Sequence, residues 1–459
     1  MDSIIEDVKT ILKATNSSGY IVGGYIRDKL INPNMESKDI DIIIDGVIET
    51  FIKELHNKGY RIFNLNKDKQ IYRATKNGET LDVAKLKGDT IEDDLKSRDF
   101  TTNAIALKLI DNIIIDPFRG RNHIKNRIIH PVTEDSIKND RIRILRGQRL
   151  SIKYGMHFSE SSLKNIAEES KYILNCPKER IFMEIMLILQ EDNEGIAFEE
   201  LDKNGVLKYI IPYIDELKTI GRCKYHIEDA FMHMNLVYKN FKELSKGRLH
   251  IEGLDLSIFD QKIGEQSIKG YMSLASFCHD IGKAKCYIKK EEKVSFIGHD
   301  KEGAKIISEV SKKIGLPKKG AKFVEKLVEA HMYPLGLCKN KIKNYKKSFY
   351  KFFSRYDEYI PYILALSYCD IHATKMLYDP DNEEKIFVGY LEHLLKEYKI
   401  FKECKEKRFL DGKEVVDITG AKGKDIKYIL DELDRRTYYG EINNREEAIN
   451  LIKSIKTGV

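Results

Sequence analysis

Hydrophobic positions along the chain change their spacing near residue 134. Before that point, short apolar runs alternate with turn residues, as in Tyr20-Ile-Val before Gly23-Gly24 and in residues 38–45, where isoleucines stand between aspartates. Such runs predict strands, and residues 25–30 predict a short helix. After residue 134, apolar residues recur at helical spacing over most of the remaining chain, which predicts a helical body.

Turn signals subdivide both parts of the chain. Asn77-Gly78 separates two apolar runs, 71–75 and 80–86, and predicts a hairpin because both turn residues tolerate positive φ. Residues 247–270 are charged and less regular, which predicts a loop or short helices, and a further break is expected at the glycines near residue 420. The pattern therefore indicates an α/β head followed by a long α-helical body.

Composition narrows the class of protein. The 459 residues suffice for about three domains, and 42% hydrophobic residues exclude a disordered chain. The formal charge of +7 is only a mild indication of a polyanionic partner. No apolar run approaches the ~18 residues of a membrane helix, and the acidic start is unlike a signal peptide. Seven cysteines without a C-x-x-C pair are typical of a reducing cytosol, so we expect a cytoplasmic protein without a membrane partner.

Asp39-Ile-Asp41 is the main chemical feature of the head. Residues two apart on a strand point to the same face, so the two carboxylates would lie side by side and repel each other unless a cation lies between them. Mg²⁺ prefers such oxygen ligands and also binds phosphates. Asp82, on the second strand of the predicted hairpin, could add a third carboxylate. The alternatives are a solvated strand end for the first two residues and a strand-edge charge for Asp82.

The helical body carries a second candidate site at His279-Asp280. Imidazole and carboxylate together suit Mn²⁺, Fe²⁺, Ni²⁺ or Zn²⁺. A lone His-Asp pair is usually structural, but this chain also offers further candidate ligands. They are His233, His299, His331 and Asp370.

Six motifs extend from residue 23 to residue 184. They are GGYIRD at 23–28, DID at 39–41, RDFTTNA at 98–104, DPFRG at 116–120, NDRIRILR at 139–146 and ERIFME at 179–184. In composition and order, this series resembles the head of class II tRNA nucleotidyltransferases, which include CCA-adding enzymes and bacterial poly(A) polymerases. The resemblance implies a role for each motif.

Asp39 and Asp41 would be catalytic and would hold Mg²⁺. The resemblance implies triphosphate binding by Gly23, Gly24 and Arg27, and ribose recognition by Arg98, Asp99 and Asn103. Asp140 and Arg143 would present a carboxylate and a guanidinium to the edge of the incoming base, and their spacing predicts one shared helix face. Arg146 and Arg149 continue that spacing and could bind phosphates.

The order of histidines and aspartates in the body resembles the HD metal-dependent phosphohydrolase superfamily. The core ligands would be His233, His279, Asp280 and Asp370, with His299 and His331 as extra histidines. In tRNA nucleotidyltransferases bearing such a domain, it is associated with 2′,3′-cyclic phosphodiesterase or phosphatase chemistry on RNA ends, for which a divalent metal activates water. A metal-free relic that packs against tRNA is the alternative. Three other histidines fit no ligand position: His226, His250 and His372.

Three departures from the family pattern bear on the product. Ser97 stands where the family usually has Arg, and Asn139 where it usually has Glu. The connector from Asp82 to Arg98 is short, whereas CCA-adding relatives carry a longer flexible segment there, and enzymes that add only CC typically lack it. The short connector favours CC addition, and a trimmed enzyme with full CCA activity remains the alternative.

The expected fold is α+β, with an N-terminal nucleotidyltransferase head of the polymerase β type followed by all-α parts. We expect the head at 1–135, a helical neck with the nucleotide-recognition helix at 136–215, an HD domain at 216–380 and a tRNA-binding tail at 381–459. The expected activity is template-independent addition of C, with A left open, to tRNA 3′ ends from CTP or ATP with Mg²⁺. The HD metal would be a transition metal or Mg²⁺.

Two alternative functions are a bacterial poly(A) polymerase and a non-catalytic RNA-binding protein. A bacterial poly(A) polymerase usually has a basic tail in place of an HD domain, so His279-Asp280 argues against it. Asp39 and Asp41 argue against a non-catalytic RNA-binding relative. The sequence leaves the oligomeric state open.

Overall fold

The structure is a computed structural model that describes residues 2–35, 39–221, 228–291, 293–340, 345–376 and 379–455. Three residues considered above, Lys38, Cys223 and His226, lie outside the described residues. The chain divides into two compact units, one of residues 1–192 and 199–210 and the other of residues 193–198 and 211–459. The finer division into head, neck, HD domain and tail stays a prediction.

A mixed sheet forms the centre of the first unit. Its strands are β1 (Ser18–Val22), β2 (Asp39–Asp45), β3 (Arg61–Asn66), β4 (Ile71–Lys76), β5 (Glu79–Lys85), β6 (Ala106–Lys108) and β7 (Ile113–Ile115). They lie in the order β3-β4-β5-β2-β1-β6-β7, with β2 parallel to β5 and the other neighbours antiparallel. A separate parallel pair follows, β8 (Ile128–Ile129) and β9 (His157–Phe158).

The predicted strands and hairpin of the head are confirmed. In β2 the isoleucines are buried while Asp39 and Asp41 remain exposed, as the alternation of side chains requires. Asn77 and Gly78 connect β4 to β5 with φ of 54° and 81°. Both turn residues therefore adopt the positive φ that favours a tight hairpin turn.

Helices surround this sheet and continue beyond it. They are α1 (Asp2–Ala14), α2 (Gly24–Ile31), α3 (Ile48–Asn57), α4 (Ile91–Lys96), α5 (Gly120–Lys125), α6 (Ser136–Asn139), α7 (Ile142–Tyr154), α8 (Glu160–Glu169), α9 (Lys178–Glu191), α10 (Ala197–Lys203), whose first two residues belong to the second unit, and α11 (Leu207–Ile210). Short 3-10 helices occur at Thr101–Asn103 and Ser170–Asn175.

The prediction that Asp140 and Arg143 share one helix is wrong. Asp140 has extended backbone, with φ −149°, between α6 and α7, and only Arg143 lies within α7. The Asp140 carboxylate accepts a weak 3.4 Å hydrogen bond from the backbone N–H of Ile142. This local bond is of the kind by which aspartates compete with helix formation.

Helices dominate the second unit. They are α12 (Ile214–Leu217), α13 (Ala230–Ser245), α14 (Ile268–Cys278), α15 (Lys283–Cys286), α16 (His299–Ile314), α17 (Lys318–Ala330), α18 (Tyr333–Lys339), α19 (Tyr345–Tyr356), α20 (Ile360–Lys375), α21 (Glu383–Glu406), α22 (Gly412–Thr419), α23 (Lys424–Tyr439) and α24 (Arg445–Ser454). Two 3-10 helices occur at Leu256–Asp260 and Asp357–Tyr359. Aromatic side chains fill much of its interior; the fully buried Phe277, for example, stacks on Phe198 at 3.8 Å between ring centroids.

The predicted helical body is confirmed, with small strand pairs as an addition that the sequence pattern did not indicate. Two small antiparallel pairs interrupt it: β10 (Lys262–Ile263) with β11 (Gln266–Ser267), and β12 (Ile288–Lys290) with β13 (Lys293–Ser295). Each connecting turn has a residue with positive φ, Gly264 and Glu291 respectively. Such two-to-three-residue strands are too short for apolar periodicity to reveal them.

Two expectations from composition can be compared with the described residues. The six cysteines among them are free thiols, as the absence of C-x-x-C pairs predicted. None of the described helices combines the length and apolar character that crossing a bilayer requires.

Gly320 in α17 offers a test of the packing in the second unit. A Cβ at this position would lie 2.2 Å from a ring carbon of the fully buried Tyr271. We expect Gly320→Ala to lower the free energy of unfolding by about 1–3 kcal/mol, the usual cost of overpacking. Denaturant unfolding followed by circular dichroism measures the change.

Gly389 in α21 is the matched control. A Cβ there meets no atom within 4 Å, so Gly389→Ala should raise stability by up to about 1 kcal/mol through helix propensity alone. Equal effects of both substitutions would contradict the described packing around Tyr271.

Candidate functional site

The sheet of the first unit brings carboxylates together. The parallel register of β2 and β5 pairs Asp41 with Asp82, and Asp39 with Thr80. On the other side of β2, Asp41 pairs with Val22 of β1, directly before Gly23. The sequence-predicted residues Asp39, Asp41, Asp82 and Gly23 therefore share one end of adjacent strands.

Gly23 allows a charged side chain to approach the backbone on each side. Its φ is +73°, and an added Cβ would lie 3.2 Å from Asp41 Oδ2 and 3.2 Å from Arg98 Nη1. A side chain at this position would crowd both groups and strain the turn. The guanidinium of Arg98 is fixed by Asp94, at 3.0 Å.

The Asp41 carboxylate has the electrostatic character of a cation ligand. Loss of hydration raises its pKa, the Arg98 charge opposes this rise, and the nearby Asp82 and Asp39 carboxylates add to it. A divalent cation would relieve the repulsion between these oxygens, and hard carboxylate oxygens are the ligands that Mg²⁺ prefers. The donor set therefore fits Mg²⁺ held by Asp39 and Asp41.

Asp82 has a strong partner within the protein. Arg73 of β4 donates two hydrogen bonds to it, Nε to Oδ1 and Nη2 to Oδ2, both at 2.8 Å. Both oxygens of this third carboxylate are thus engaged, so metal binding by Asp82 would have to compete with Arg73. No local sequence pattern indicated this pair, and a role of Asp82 as a ligand stays a prediction.

Arg27 is buried at the centre of a polar network. Its Nη1 donates to Asn103 Oδ1 at 2.5 Å, and its Nη2 donates to Asp28 and to the hydroxyl of Tyr154 at 2.8 and 2.9 Å. Asn103 in turn donates to Asp99 at 2.9 Å. The predicted triphosphate residue Arg27 and the predicted ribose residues Asp99 and Asn103 therefore form one contiguous assembly.

Ion pairs connect this assembly to α7 and α9. Arg146 Nε lies 2.8 Å from Asp99 Oδ2, and Arg149 Nε lies 3.0 Å from Glu184 Oε2. Burial raises the pKa of Asp99, but Arg146 and Asn103 more than offset this and hold it below its usual value. Sequence reasoning missed the role of Tyr154, and Glu184 was recognised only as part of a motif.

Asp140 and Arg143 are both engaged in protein contacts. Arg180 donates to both oxygens of Asp140, at 3.2 and 2.7 Å, and Arg143 donates to the backbone carbonyls of Arg98 and Ser97, at 2.8 Å each. Ser97, one of the departures from the family pattern, thus contacts Arg143 through its backbone. Arg143 is thereby held against the Arg98-Asp99 motif, whereas Asp140 is held by Arg180 of α9.

The second unit brings the predicted histidines and aspartates together. His233 lies in α13, His279 and Asp280 follow α14, His299 begins α16, His331 follows α17, and Asp370 lies in α20. Two groups have ligand atoms close enough to hold a metal ion, and both include Asp280: His233 with His279, and His299 with His331. All six predicted residues therefore meet in one cluster, which we call the HD cluster.

The Nε2 atoms of the four histidines point toward the aspartates. His279 Nε2 is 3.3 Å from Asp280 Oδ2, and His299 Nε2 is 3.1 Å from Asp280 Oδ1. His233 Nε2 is 3.0 Å from Asp370 Oδ1, and His331 Nε2 is 3.7 Å from Asp280 Oδ1. The two oxygens of Asp280 thus face different pairs of histidines.

Backbone carbonyls orient three of these imidazoles from behind. The Nδ1 atoms of His279, His299 and His331 lie 2.9, 2.9 and 2.7 Å from carbonyl oxygens three residues earlier in the chain. For His233, a carboxylate stands in this position: Glu228 Oε1 lies 3.3 Å from its Nδ1. Hydrogen bonds of this type fix the tautomer that leaves Nε2 available to a metal.

The charges of the HD cluster also fit a cation. His279 Nε2 is buried without a partner in hydrogen-bonding geometry, which is costly unless another group satisfies it. Burial disfavours charge on His233, yet the Asp370 and Glu228 carboxylates beside its ring nitrogens raise its pKa to about 9. Lys283 lies 2.5 Å from Asp280 and, with His279, holds the pKa of that carboxyl well below its usual value despite burial.

Three models of known families match parts of this chain. Residues 19–130 match the "Poly A polymerase head domain", residues 155–218 the "Probable RNA and SrmB-binding site of polymerase A", and residues 258–349 the "HD domain". The first match contains Asp39, Asp41 and Asn103. The third contains His279, Asp280, His299 and His331, whereas His233 and Asp370 lie outside it.

Individual relatives and solved structures extend the comparison. The "Multifunctional CCA protein" of Haemophilus influenzae is 28% identical over 68% of this chain and 74% of that protein. The "A-adding tRNA nucleotidyltransferase" of Deinococcus radiodurans is 25% identical over 85% of each. A CCA-adding enzyme solved with ATP shares the fold, with a TM-score of 0.66 at 17% identity over 98% of this chain and 94% of that one. The Thermotoga maritima CCA-adding enzyme with tRNA gives 0.60, at 17% identity over 98% and 94%.

The sheet, its paired aspartates and the matching head domain define a nucleotidyltransferase of the poly(A) polymerase type. Together with the relatives and the helical HD domain, they place the chain within one family. The chain belongs to the class II tRNA nucleotidyltransferases that carry an HD domain.

Metal binding by the HD cluster can be tested through stability. In an Asp41→Asn background, which weakens the head site, Mn²⁺ or Ni²⁺ should raise the melting temperature, because a ligand at 100 times its Kd adds about 2.7 kcal/mol. Adding His279→Ala should abolish this rise. Adding His250→Ala instead, at an exposed histidine outside the HD cluster, should preserve it. Equal shifts in both variants would exclude the HD cluster as the binding site.

Proposed function

We propose that this protein extends the 3′ end of tRNA by template-independent nucleotide addition, with CTP as a substrate. The paired carboxylates of Asp39 and Asp41 beside Gly23 are the observation that carries the proposal. Relatives named for CCA addition and A addition support it, as do similar folds solved with ATP, CTP and tRNA. In this reaction the tRNA 3′-hydroxyl attacks the α-phosphate and pyrophosphate leaves.

The chain's own residues would position the reactants. Asp39 and Asp41 would hold Mg²⁺, which supplies charge stabilisation for the attacking and leaving oxygens. The backbone at Gly23 can approach a triphosphate closely because no side chain intervenes. The network of Arg27, Asn103 and Asp99 would hold the nucleotide pocket rigid, since the described Arg27 contacts are to protein groups.

The short connector supports CC addition as the product. Only residues 86–90 separate β5 from α4, where the longer flexible segment typical of CCA-adding enzymes would stand. The relatives carry different names, CCA and A-adding, at 25–28% identity. Full CCA addition is therefore the second candidate product, favoured by the name of the Haemophilus relative.

Incubation with tRNA substrates ending at the discriminator base, at C or at CC tests this proposal. With CTP and ATP together, we expect two nucleotides on the first substrate and none on the third, measured on sequencing gels. Three added nucleotides would establish CCA addition, and extension of only the CC-ending tRNA would establish A addition. No extension of any substrate would refute nucleotidyl transfer to tRNA.

The same assay includes a matched pair of aspartate variants. Asp41→Asn should lower the rate by more than the about 10²–10³-fold that loss of one transition-state-stabilising group costs, while tRNA binding persists. Asp45→Asn, exposed at the far end of the same strand, should retain activity. A poly(A) polymerase would instead add long A tails from ATP alone.

We also propose that the HD cluster hydrolyses phosphoesters with a divalent metal held by His233, His279, Asp280 and Asp370. The convergence of four histidine Nε2 atoms on two aspartates supports this activity. His299 and His331 would hold a second ion, because they face the other oxygen of Asp280. Metal ions at such a site activate water and neutralise charge on phosphate.

A separation of the two activities is expected from substitution at His279. His279→Ala should eliminate hydrolysis of an RNA 2′,3′-cyclic phosphate end and leave nucleotide addition unchanged, because Asp39 and Asp41 lie in the other unit. His250→Ala serves as the control and should retain both activities. Hydrolysis that persists in a metal-loaded His279→Ala protein would contradict the proposed role of the HD cluster.

A further inference from the structure

A row of charged residues crosses three adjacent strands in the sheet of the first unit. Arg73 on β4 pairs with Asp82 on β5, and Asp82 pairs with Asp41 on β2. Directly paired residues of neighbouring strands point to the same face of a sheet, so Arg73 lies on the face of the proposed metal ligands. Leu81 and Val83, on either side of Asp82, are fully buried on the opposite face. The row therefore places a cation at the edge of the carboxylates.

The contact between Arg73 and Asp82 engages both oxygens of the carboxylate. Two hydrogen bonds of 2.8 Å each join the guanidinium to it, and such a two-point contact is stronger and more directional than a single bond. The hydrogen bonds to Asp82 raise the pKa of Arg73, and the charges of Asp39 and Asp41 add to this rise against a small opposing effect of burial. Arg73 therefore binds one carboxylate directly and is attracted by the other two.

The pair of Arg73 and Asp82 contributes little to the stability of the fold. The two side chains are 44% and 22% exposed, and ion pairs that are open to solvent add little to the free energy of unfolding. Arg98, the other arginine near these carboxylates, pairs with Asp94 instead. The position of Arg73 beside the proposed metal ligands is thus better explained by an effect on the metal site than by an effect on stability.

We propose that Arg73 is a positioning residue that withholds Asp82 from the metal ion of the head, so that Asp39 and Asp41 hold this ion without a third protein carboxylate. The inference rests on the proposed nucleotidyl transfer and specifies how its metal site is adjusted. Mg²⁺ is usually bound by one or two carboxylates, with waters and substrate phosphates as its other ligands. A third carboxylate would take the place of a phosphate oxygen, and Arg73 prevents this.

The balance of charge leads to the same inference. When ionised, Asp39, Asp41 and Asp82 carry three negative charges, of which the bound Arg73 guanidinium neutralises one. The two charges that remain are balanced by a single divalent ion. Without Arg73, the same ion would leave a negative charge at the site, and this charge would repel a triphosphate. Arg73 therefore favours binding of the nucleotide over tighter binding of the metal.

Mn²⁺ binding to single variants tests whether Asp82 is withheld. Titrations of the full-length protein are followed by electron paramagnetic resonance in a His279→Ala background, and the head site is identified as the binding that Asp41→Asn abolishes. Arg73→Gln should tighten Mn²⁺ binding at this site by about 10–100-fold, the size of effect that partners of metal ligands usually have. Asp82→Asn should weaken it, because the charge of Arg73 then stays unpaired beside Asp39 and Asp41.

The double variant Arg73→Gln/Asp82→Asn separates the proposal from its alternative, in which Asp82 is itself a metal ligand. If Arg73 withholds Asp82, removal of both groups leaves Asp39 and Asp41 in their original surroundings, and the Mn²⁺ affinity should return close to that of the parent protein. If Asp82 is a ligand, the double variant should bind Mn²⁺ as weakly as Asp82→Asn does, or more weakly. That second result would overturn the proposal.

Arg61→Gln is the matched control. Arg61 is exposed on β3, three strands away from β2 in the same sheet, and pairs in register with Thr75. Its substitution removes the same charge as Arg73→Gln but leaves Asp82 bound, so the Mn²⁺ affinity should not change. Equal tightening by the two substitutions would show a general effect of charge and would contradict a specific role of Arg73.

Nucleotide addition to tRNA provides the second measurement. Arg73→Gln should lower the Mg²⁺ concentration that gives half the maximal rate and, at saturating Mg²⁺, raise the KM for CTP about tenfold, whereas Arg61→Gln should behave as wild type. An unchanged KM would overturn the effect on triphosphate binding. If the wild-type protein extends no tRNA, the proposed nucleotidyl transfer fails, and the Mn²⁺ titrations still decide whether Arg73 withholds Asp82.

Discussion

The parallel pairing of β2 with β5 is the constraint on which the head depends. It places Asp41 directly beside Asp82, and the alternation of β2 puts Asp39 on the same face. Three carboxylates at one strand end repel one another unless positive charge compensates them. Arg73 binds Asp82 and Arg98 lies near Asp41, so protein cations compensate part of this charge. The negative charge that stays uncompensated explains why the site suits a divalent ion and the phosphates that such an ion accompanies.

In the second unit, the negative charge of clustered carboxylates is compensated by different residues. Asp280 is buried among four imidazoles and the Lys283 ammonium, and Asp370 shares two of those imidazoles. Imidazoles can be neutral metal ligands, whereas the arginines of the head remain charged and are poor ligands. This difference in chemistry is consistent with hydrolysis in one unit and with binding of a triphosphate in the other.

Local patterns in the sequence predicted the residues that short-range geometry controls. The two-residue period of the Asp39-Ile-Asp41 strand and the Asn77-Gly78 turn needed no knowledge of distant parts of the chain. Partners far apart in sequence were beyond such reasoning. Arg27 meets Tyr154 across 127 positions, and a side-chain pair of this kind depends on where the fold places two distant segments, which no local period encodes. The motif resemblance identified the HD residues, but their common orientation by backbone carbonyls emerged only from the fold.

At Asp140, a local sequence pattern and a contact with a distant residue lead to different conformations. Its spacing from Arg143 suggested one helix face, but the extended backbone at Asp140 lets its carboxylate reach Arg180, 40 positions away. If Asp140 and Arg143 read the incoming base, each must exchange a protein hydrogen bond for one to the base. For a matching base, the gain in binding free energy is then small, because hydrogen bonds to the base replace hydrogen bonds within the protein. A mismatched base breaks the bonds within the protein and forms none in their place. Selectivity under this arrangement comes mainly from the unsatisfied groups that a wrong base leaves behind.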